Sequence, residues 1–165
     1  MVAPRSGTVL VEGRRLHYLE WGDRSAAPVV ILHGFSGHAW QAQHPARALA
    51  ATHWVLALDQ RGHGDSDPAE IYGAKPMVAD LIAFLDTLGI AQVALVGHSL
   101  GGIVALCTTA LYPERVTRLV LGDIGPEIAS EGVERIQRNV RERDVFESVD
   151  DAYEQQLALN PTADP

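Results

Sequence analysis

Four apolar runs stand out along the chain: PVVILHG at 28–34, HWVLALD at 53–59, QVALVGH at 92–98 and, less purely, VTRLVLGDI at 116–124. Their hydrophobic positions follow one another without alternation, which suits strands buried on both faces. Ahead of them, residues 8–11 and 16–21 flank the turn Glu12-Gly13-Arg14 and predict a hairpin-like start. Between the runs the apolar period lengthens. Met77, Leu81, Leu85 and Leu88 fall at i, i+4, i+8 and i+11, one face of a helix over 76–88 that Gly89 stops. Leu100, Ile103, Val104, Cys107 and Leu111 mark one side of a helix over 99–111, and the alanine-rich 39–51 also carries a helical period. RGHGDSDPAEIYGA, at 61–74, is a polar loop rich in Gly and Pro. Strand and helix thus alternate from 28 to 124. That order predicts an α/β domain with a mostly parallel sheet and, through right-handed crossovers, helices on both faces.

After Pro126 the character changes. Residues 127–158 are charged and helical in pattern, with Glu131–Arg135 and Glu134–Arg138 at favourable i,i+4 spacing. Val133, Ile136 and Val140 give only a narrow apolar face. The expected division is therefore a sheet domain over 1–126 and an appendage over 127–165. Composition sets limits on function. The net charge is −8 with no basic stripe, which argues against a nucleic-acid partner. No apolar run reaches the length of a membrane span, and MVAPRSGTVLVEGRR holds no apolar signal core. Cys107 is the single cysteine, so no disulfide forms within the chain. The expectation is a soluble cytoplasmic protein.

Gly97-His98-Ser99-Leu100-Gly101 fits G-x-S-x-G. The strand before it must turn sharply into the helix after it, with the serine strained at the apex. Gly97 and Gly101 let strand and helix approach where a Cβ would clash. The helix N-terminus beneath the serine favours negative charge. The bland alternative is a Gly-rich turn with an idle serine, but a strand before and a helix after are the context the motif requires. His33-Gly34-Phe35-Ser36-Gly37 follows the first buried run. It is either an ordinary strand-to-helix turn or a loop whose backbone N–H groups receive the oxyanion of an attacked carbonyl.

With Asp59-Gln60-Arg61-Gly62-His63-Gly64-Asp65-Ser66 between them, these motifs stand in the order of the α/β-hydrolase family, and the chain resembles that family over about residues 8 to 126. HGFSG resembles the oxyanion loop, DQRGHGDS the D-x-R-G-x-G-x-S loop, and GHSLGG the nucleophile elbow. The resemblance implies an α/β-hydrolase sheet with the start of a helical cap over 127–165. It implies Ser99 as nucleophile, the Phe35 and Leu100 N–H groups as oxyanion donors, and Gly34, His98 and His38 beside a small-molecule acyl substrate. Neither metal nor cofactor is implied. Family dehalogenases and epoxide hydrolases carry an aspartate at the elbow. Ser99 points instead to ester, lactone, thioester or carbon–carbon bond hydrolysis, or to cofactor-free perhydrolysis.

Family members run in the order Ser, acid, His. None of the seven histidines here follows Ser99. His17 and His53 fall in or beside strands and read as structural; His44 falls on a helix surface. His33 and His63 shape loops, and the His98 side chain points away from that of its neighbour. Asp123 ends the last strand, where some members carry their acid and where an aspartate serves equally to orient the segment that follows. The expectation is the N-terminal part of a longer hydrolase, with acid and base supplied elsewhere and little esterase activity of its own. Its sheet edge at 116–124 would then be open to self-association. The alternative is a catalytically inactive binding protein on the same scaffold.

Overall fold

A computed structural model describes residues 3–124 together with 147, 148, 150, 151 and 154. The chain divides into two compact units, Met1–Gly125 and Pro126–Pro165. In the first, six strands form one sheet: β1 (Arg5–Val11), β2 (Arg14–Trp21), β3 (Ala27–Leu32), β4 (His53–Leu58), β5 (Val93–His98) and β6 (Val116–Gly122). Their spatial order is β1-β2-β4-β3-β5-β6. β3 pairs in parallel with both β4 and β5, and β5 in parallel with β6; β2 runs antiparallel to β1 and β4.

The continuous apolar runs are explained by cover on both faces. Val30, Leu32, Leu56, Leu58 and Leu95 face a core shared with helices α2 (Ala74–Thr87) and α3 (Leu100–Leu111), through Leu81, Phe84, Leu85, Val104 and Ala105. Val29, Ile31, Val55 and Ala57 face Ala39, Ala42 and Ala46 on the other side. Each fully buried Leu or Phe contributes about 1.5–3 kcal/mol.

Several local expectations shift. β1 begins at Arg5, ahead of the apolar run, because polar partners extend the ladder: Arg5 Nε donates to Glu20 Oε1 at 3.0 Å and Ser6 Oγ meets His17 Nε2 at 2.9 Å. The helix expected over 39–51 is a 3-10 turn (Ala39–Ala42) followed by the short α1 (Gln43–Leu49). Pro45, which has no N–H to donate, sits in the first turn of α1, where its absence is tolerated. In α3 the buried face is Gly101, Val104, Ala105 and Thr108, whereas Leu111 is 63% exposed. The small residues let the helix lie close on the sheet, and the Thr108 hydroxyl is satisfied by the Val104 carbonyl at 2.8 Å. The stop at Gly89 holds: its N–H donates to the Asp86 carbonyl and that of Ile90 to the Leu85 carbonyl.

Two buried carboxylates were not apparent from the apolar pattern. Asp80, on the buried face of α2, takes a two-pronged contact from Arg61 at 2.6 and 2.7 Å. Burial pushes the Glu20 carboxyl up, but donors from Arg24, Arg5 and Trp54 hold it below its usual range. Among the described residues β6 pairs with β5 alone, and Val120 is 55% exposed. No helix among them is long and apolar enough to cross a membrane. In the second unit the Ser148 hydroxyl accepts from the Asp151 N–H and the Asp151 carboxylate from the Glu147 N–H. The remainder of the expected cap over 127–165 lies outside the described residues.

Candidate active site

Ser99 joins β5 to α3 with φ 49° and ψ −114°. A non-glycine residue there carries strain of about 1–3 kcal/mol, so its surroundings must impose it. They do so from three sides. The Ser99 N–H donates to the Gly122 carbonyl at the end of β6 (3.0 Å), the Gly101 N–H to the His33 carbonyl (3.1 Å), and the Ile103 N–H to the Ser99 carbonyl (3.0 Å). A Cβ on Gly97 would strike the Gly101 carbonyl and lie 2.6 Å from Gly102 Cα. No side chain could move to admit it, so the turn closes only with glycine at that position. The strained serine at the strand-to-helix apex is the geometry the motif predicts.

The loop after β3 lies directly against this turn. A Cβ on Gly34 would stand 2.7 Å from His98 Nδ1 and 3.3 Å from Ser99 Cβ. The loop folds back through a bond from the Gly37 N–H to the Gly34 carbonyl at 3.0 Å, and the exposed Phe35 ring meets the edge of His63 at 6.1 Å. Among the described residues neither the Phe35 nor the Leu100 N–H has a hydrogen-bond partner. Leu100 opens α3, where backbone N–H groups are free by the nature of a helix start and carry partial positive charge.

His33 holds the loop rather than moving protons. Its Nε2 accepts from the Gln60 N–H at 3.1 Å, so the ring proton sits on Nδ1 and is donated to the Gly34 carbonyl at 2.7 Å. Burial pushes the imidazole below its ordinary range, against the smaller upward pull of that carbonyl. Gln60 Nε2 also donates to the His33 carbonyl at 2.8 Å, the same oxygen that receives the Gly101 N–H. Asp59 accepts from the Ala39 and Asp65 N–H groups. The DQRGHGDS loop is therefore a brace for the oxyanion loop. Sequence reasoning recognised that motif but gave Asp59 and Gln60 no task.

The other candidates are placed as follows. His98 Nε2 stands 3.8 Å from Asp123 Oδ2, with both side chains exposed. Asp123 follows β6 with φ 55°. His38 is exposed at the start of the 3-10 turn, and His44 is exposed on α1. His53 bonds the Thr52 hydroxyl at 2.8 Å. Among the described residues no histidine ring is hydrogen-bonded to Ser99 Oγ. The site thus brings together a serine on a strained backbone and a loop packed against it, with the Phe35 and Leu100 N–H groups unpartnered among the described residues.

Comparison with known proteins gives a family whose model, described as alpha/beta hydrolase fold, matches residues 27–162. Over 112 residues the chain is 37% identical to epoxide hydrolase 4 of Mus musculus, an alignment covering 66% of this chain and 31% of that one. Over 111 residues it is 36% identical to an sn-1-specific diacylglycerol lipase of Danio rerio, covering 66% and 35%. The solved structure of E-2-(acetamidomethylene)succinate hydrolase superposes with a TM-score of 0.87 at 27% identity, over 96% of this chain and 59% of that one. The matches thus reach only about a third of the length of these curated relatives.

Proposed function

The chain belongs to the alpha/beta hydrolase fold family, and from that premise we propose that Ser99 is the nucleophile of a serine hydrolase acting on an ester or related acyl bond. The observation that supports the proposal is the strained serine between strand and helix, with the loop after β3 packed so closely that a Cβ on Gly34 would stand 3.3 Å from Ser99 Cβ. Ser99 Oγ adds to the acyl carbonyl, and the resulting oxyanion is received by the Phe35 and Leu100 N–H groups. Collapse expels the alcohol and leaves an acyl-enzyme that water cleaves. Gly34, His98 and His38 line the approach of the acyl group. Proton transfer needs a base, and among the described residues no histidine is bonded to Ser99 Oγ.

The relative named an epoxide hydrolase favours epoxide opening. Ser99 weighs against it, because the family resemblance read from the sequence implies an aspartate at the elbow of epoxide hydrolases. The lack of a histidine on Ser99 Oγ among the described residues favours a second reading, a binding protein on a hydrolase scaffold. Exposure to a fluorophosphonate, followed by peptide mapping, separates the two. A hydrolase site gives one adduct on Ser99, formed faster with added imidazole as external base and absent in Ser99→Ala. A folded chain whose Ser99 stays unmodified under both conditions overturns the proposal in favour of the binding protein.

A further inference from the structure

A second hydrogen-bonded series of serine, histidine and aspartate lies away from the elbow, on the sheet face that packs against α1. β1 and β2 pair with Thr8 opposite His17, so Ser6 is the diagonal neighbour of His17 on the same face. His17 Nε2 stands 2.9 Å from Ser6 Oγ, and His17 Nδ1 stands 2.7 Å from Asp59 Oδ2. His17 is 7% exposed and Asp59 2%, while Ser6 is exposed at the surface.

The partners fix the direction of the series. The Asp59 carboxylate already accepts from the Ala39 and Asp65 N–H groups, and as an ionised carboxylate it offers no proton. His17 Nδ1 is therefore the donor toward Asp59. In the neutral ring Nε2 is then an acceptor, open to the Ser6 hydroxyl proton. The histidine is also held by its backbone: its N–H donates to Ser66 Oγ at 2.9 Å, and that hydroxyl donates to the Asp59 carbonyl at 2.6 Å. A nucleophile, a base oriented by a third group, and hydrogen-bond distances throughout are the general requirements for an activated serine.

We propose that Ser6 is a second nucleophilic serine, with His17 as its base and Asp59 as the residue that orients His17, and that it accepts acyl groups from small activated aryl esters. Ser6 Oγ bonds to the acyl carbon as its proton passes to His17 Nε2. The carbon–oxygen bond to the aryl group then breaks, and the phenolate takes the proton from His17. The products are an acylated Ser6 and a free phenol. Ser6 lies within β1, and phenolate is a far better leaving group than the serine alkoxide, so acylation by an aryl ester outpaces hydrolysis of the acyl-serine. The site takes one acyl group and does not turn over.

The full chain carrying Ser99→Ala tests this with p-nitrophenyl acetate and time-resolved peptide mapping. Ser25 and Ser36 serve as internal controls, since both are exposed and both donate to oxygen, Ser25 to Asp23 and Ser36 to the Phe35 carbonyl. The expected result is acetylation of Ser6 at least about tenfold faster than of either control, falling to the control rate in His17→Gln. Equal rates at the three serines overturn the proposal, and so does a folded His17→Gln chain that acetylates Ser6 at the original rate. Because Ser99 is absent and the first comparison needs no change at His17, this outcome is independent of the elbow's role.

Discussion

Replacing Asp80 with alanine should cost about 3–5 kcal/mol, one of the largest single losses open to this domain. Asp80 is 4% exposed and Arg61 6%, and two bonds of 2.6 and 2.7 Å join them. Without the carboxylate, the guanidinium keeps only the Ile71 and Pro76 carbonyls and remains a buried charge with no counter-charge. The 3.5 Å contact from Arg14 to Asp80 adds at most about 1 kcal/mol, because the Arg14 side chain reaches solvent. With a urea dependence of about 1–3 kcal/mol per molar, the midpoint should fall by roughly 2 M. The assay is urea unfolding followed by circular dichroism. Asp80→Leu combined with Arg61→Met removes both charges and should lie within about 1–2 kcal/mol of the parent. An Asp80→Ala loss below 1 kcal/mol, or a double variant as unstable as the single one, would refute the reasoning.

Three further outcomes follow from the site. Gly34→Ala should slow fluorophosphonate labelling of Ser99 by about tenfold at nearly unchanged stability: the exposed His98 ring can turn aside, but the 3.3 Å approach to Ser99 Cβ forces the donor loop outward; an unchanged labelling rate rejects that placement. Ser99→Gly should be more stable than Ser99→Ala by about 1 kcal/mol, because glycine accepts the φ of 49° without strain; equal unfolding midpoints would show that the backbone is not strained. The third concerns acid. His33 is held below the ordinary value of 6.5, so just under that value the unfolded chain binds a proton that the folded chain does not. Its contribution to stability is present above pH 6.5 and declines as pH falls toward the lowered folded value, by up to about 1.4 kcal/mol per pH unit. Unfolding midpoints across pH 5–7 should show this slope, and a folded His33→Gln chain should lose it.

The sheet was legible because its strands are covered on both faces, which makes 28–32 and 93–96 continuous apolar runs. The elbow was legible because its backbone geometry admits few residues, and Gly97, Ser99 and Gly101 sit where those constraints fall. What escaped the sequence depends on contacts between distant segments. Nothing local to 39–51 says that a 3-10 turn precedes Pro45. Asp80 looks like a surface residue until Arg61 reaches it, and Leu111 continues an apolar pattern that the sheet no longer covers. His17 read as structural because its two partners lie 11 residues before it and 42 after it. His33 lies within a loop motif of the sequence, but its proton position follows only from Gln60.

The most direct test of the central claim is the acyl-enzyme itself. The full chain, carrying Ser6→Ala to remove the second serine from the comparison, is mixed with p-nitrophenyl acetate, quenched in acid and mapped by mass spectrometry. If the turn between β5 and α3 presents a nucleophile, acetyl accumulates on Ser99 to at most one group per chain, and Ser99→Ala in the same background gives none at that peptide. Acetylation of Ser99 no faster than that of Ser25 and Ser36 would contradict the account.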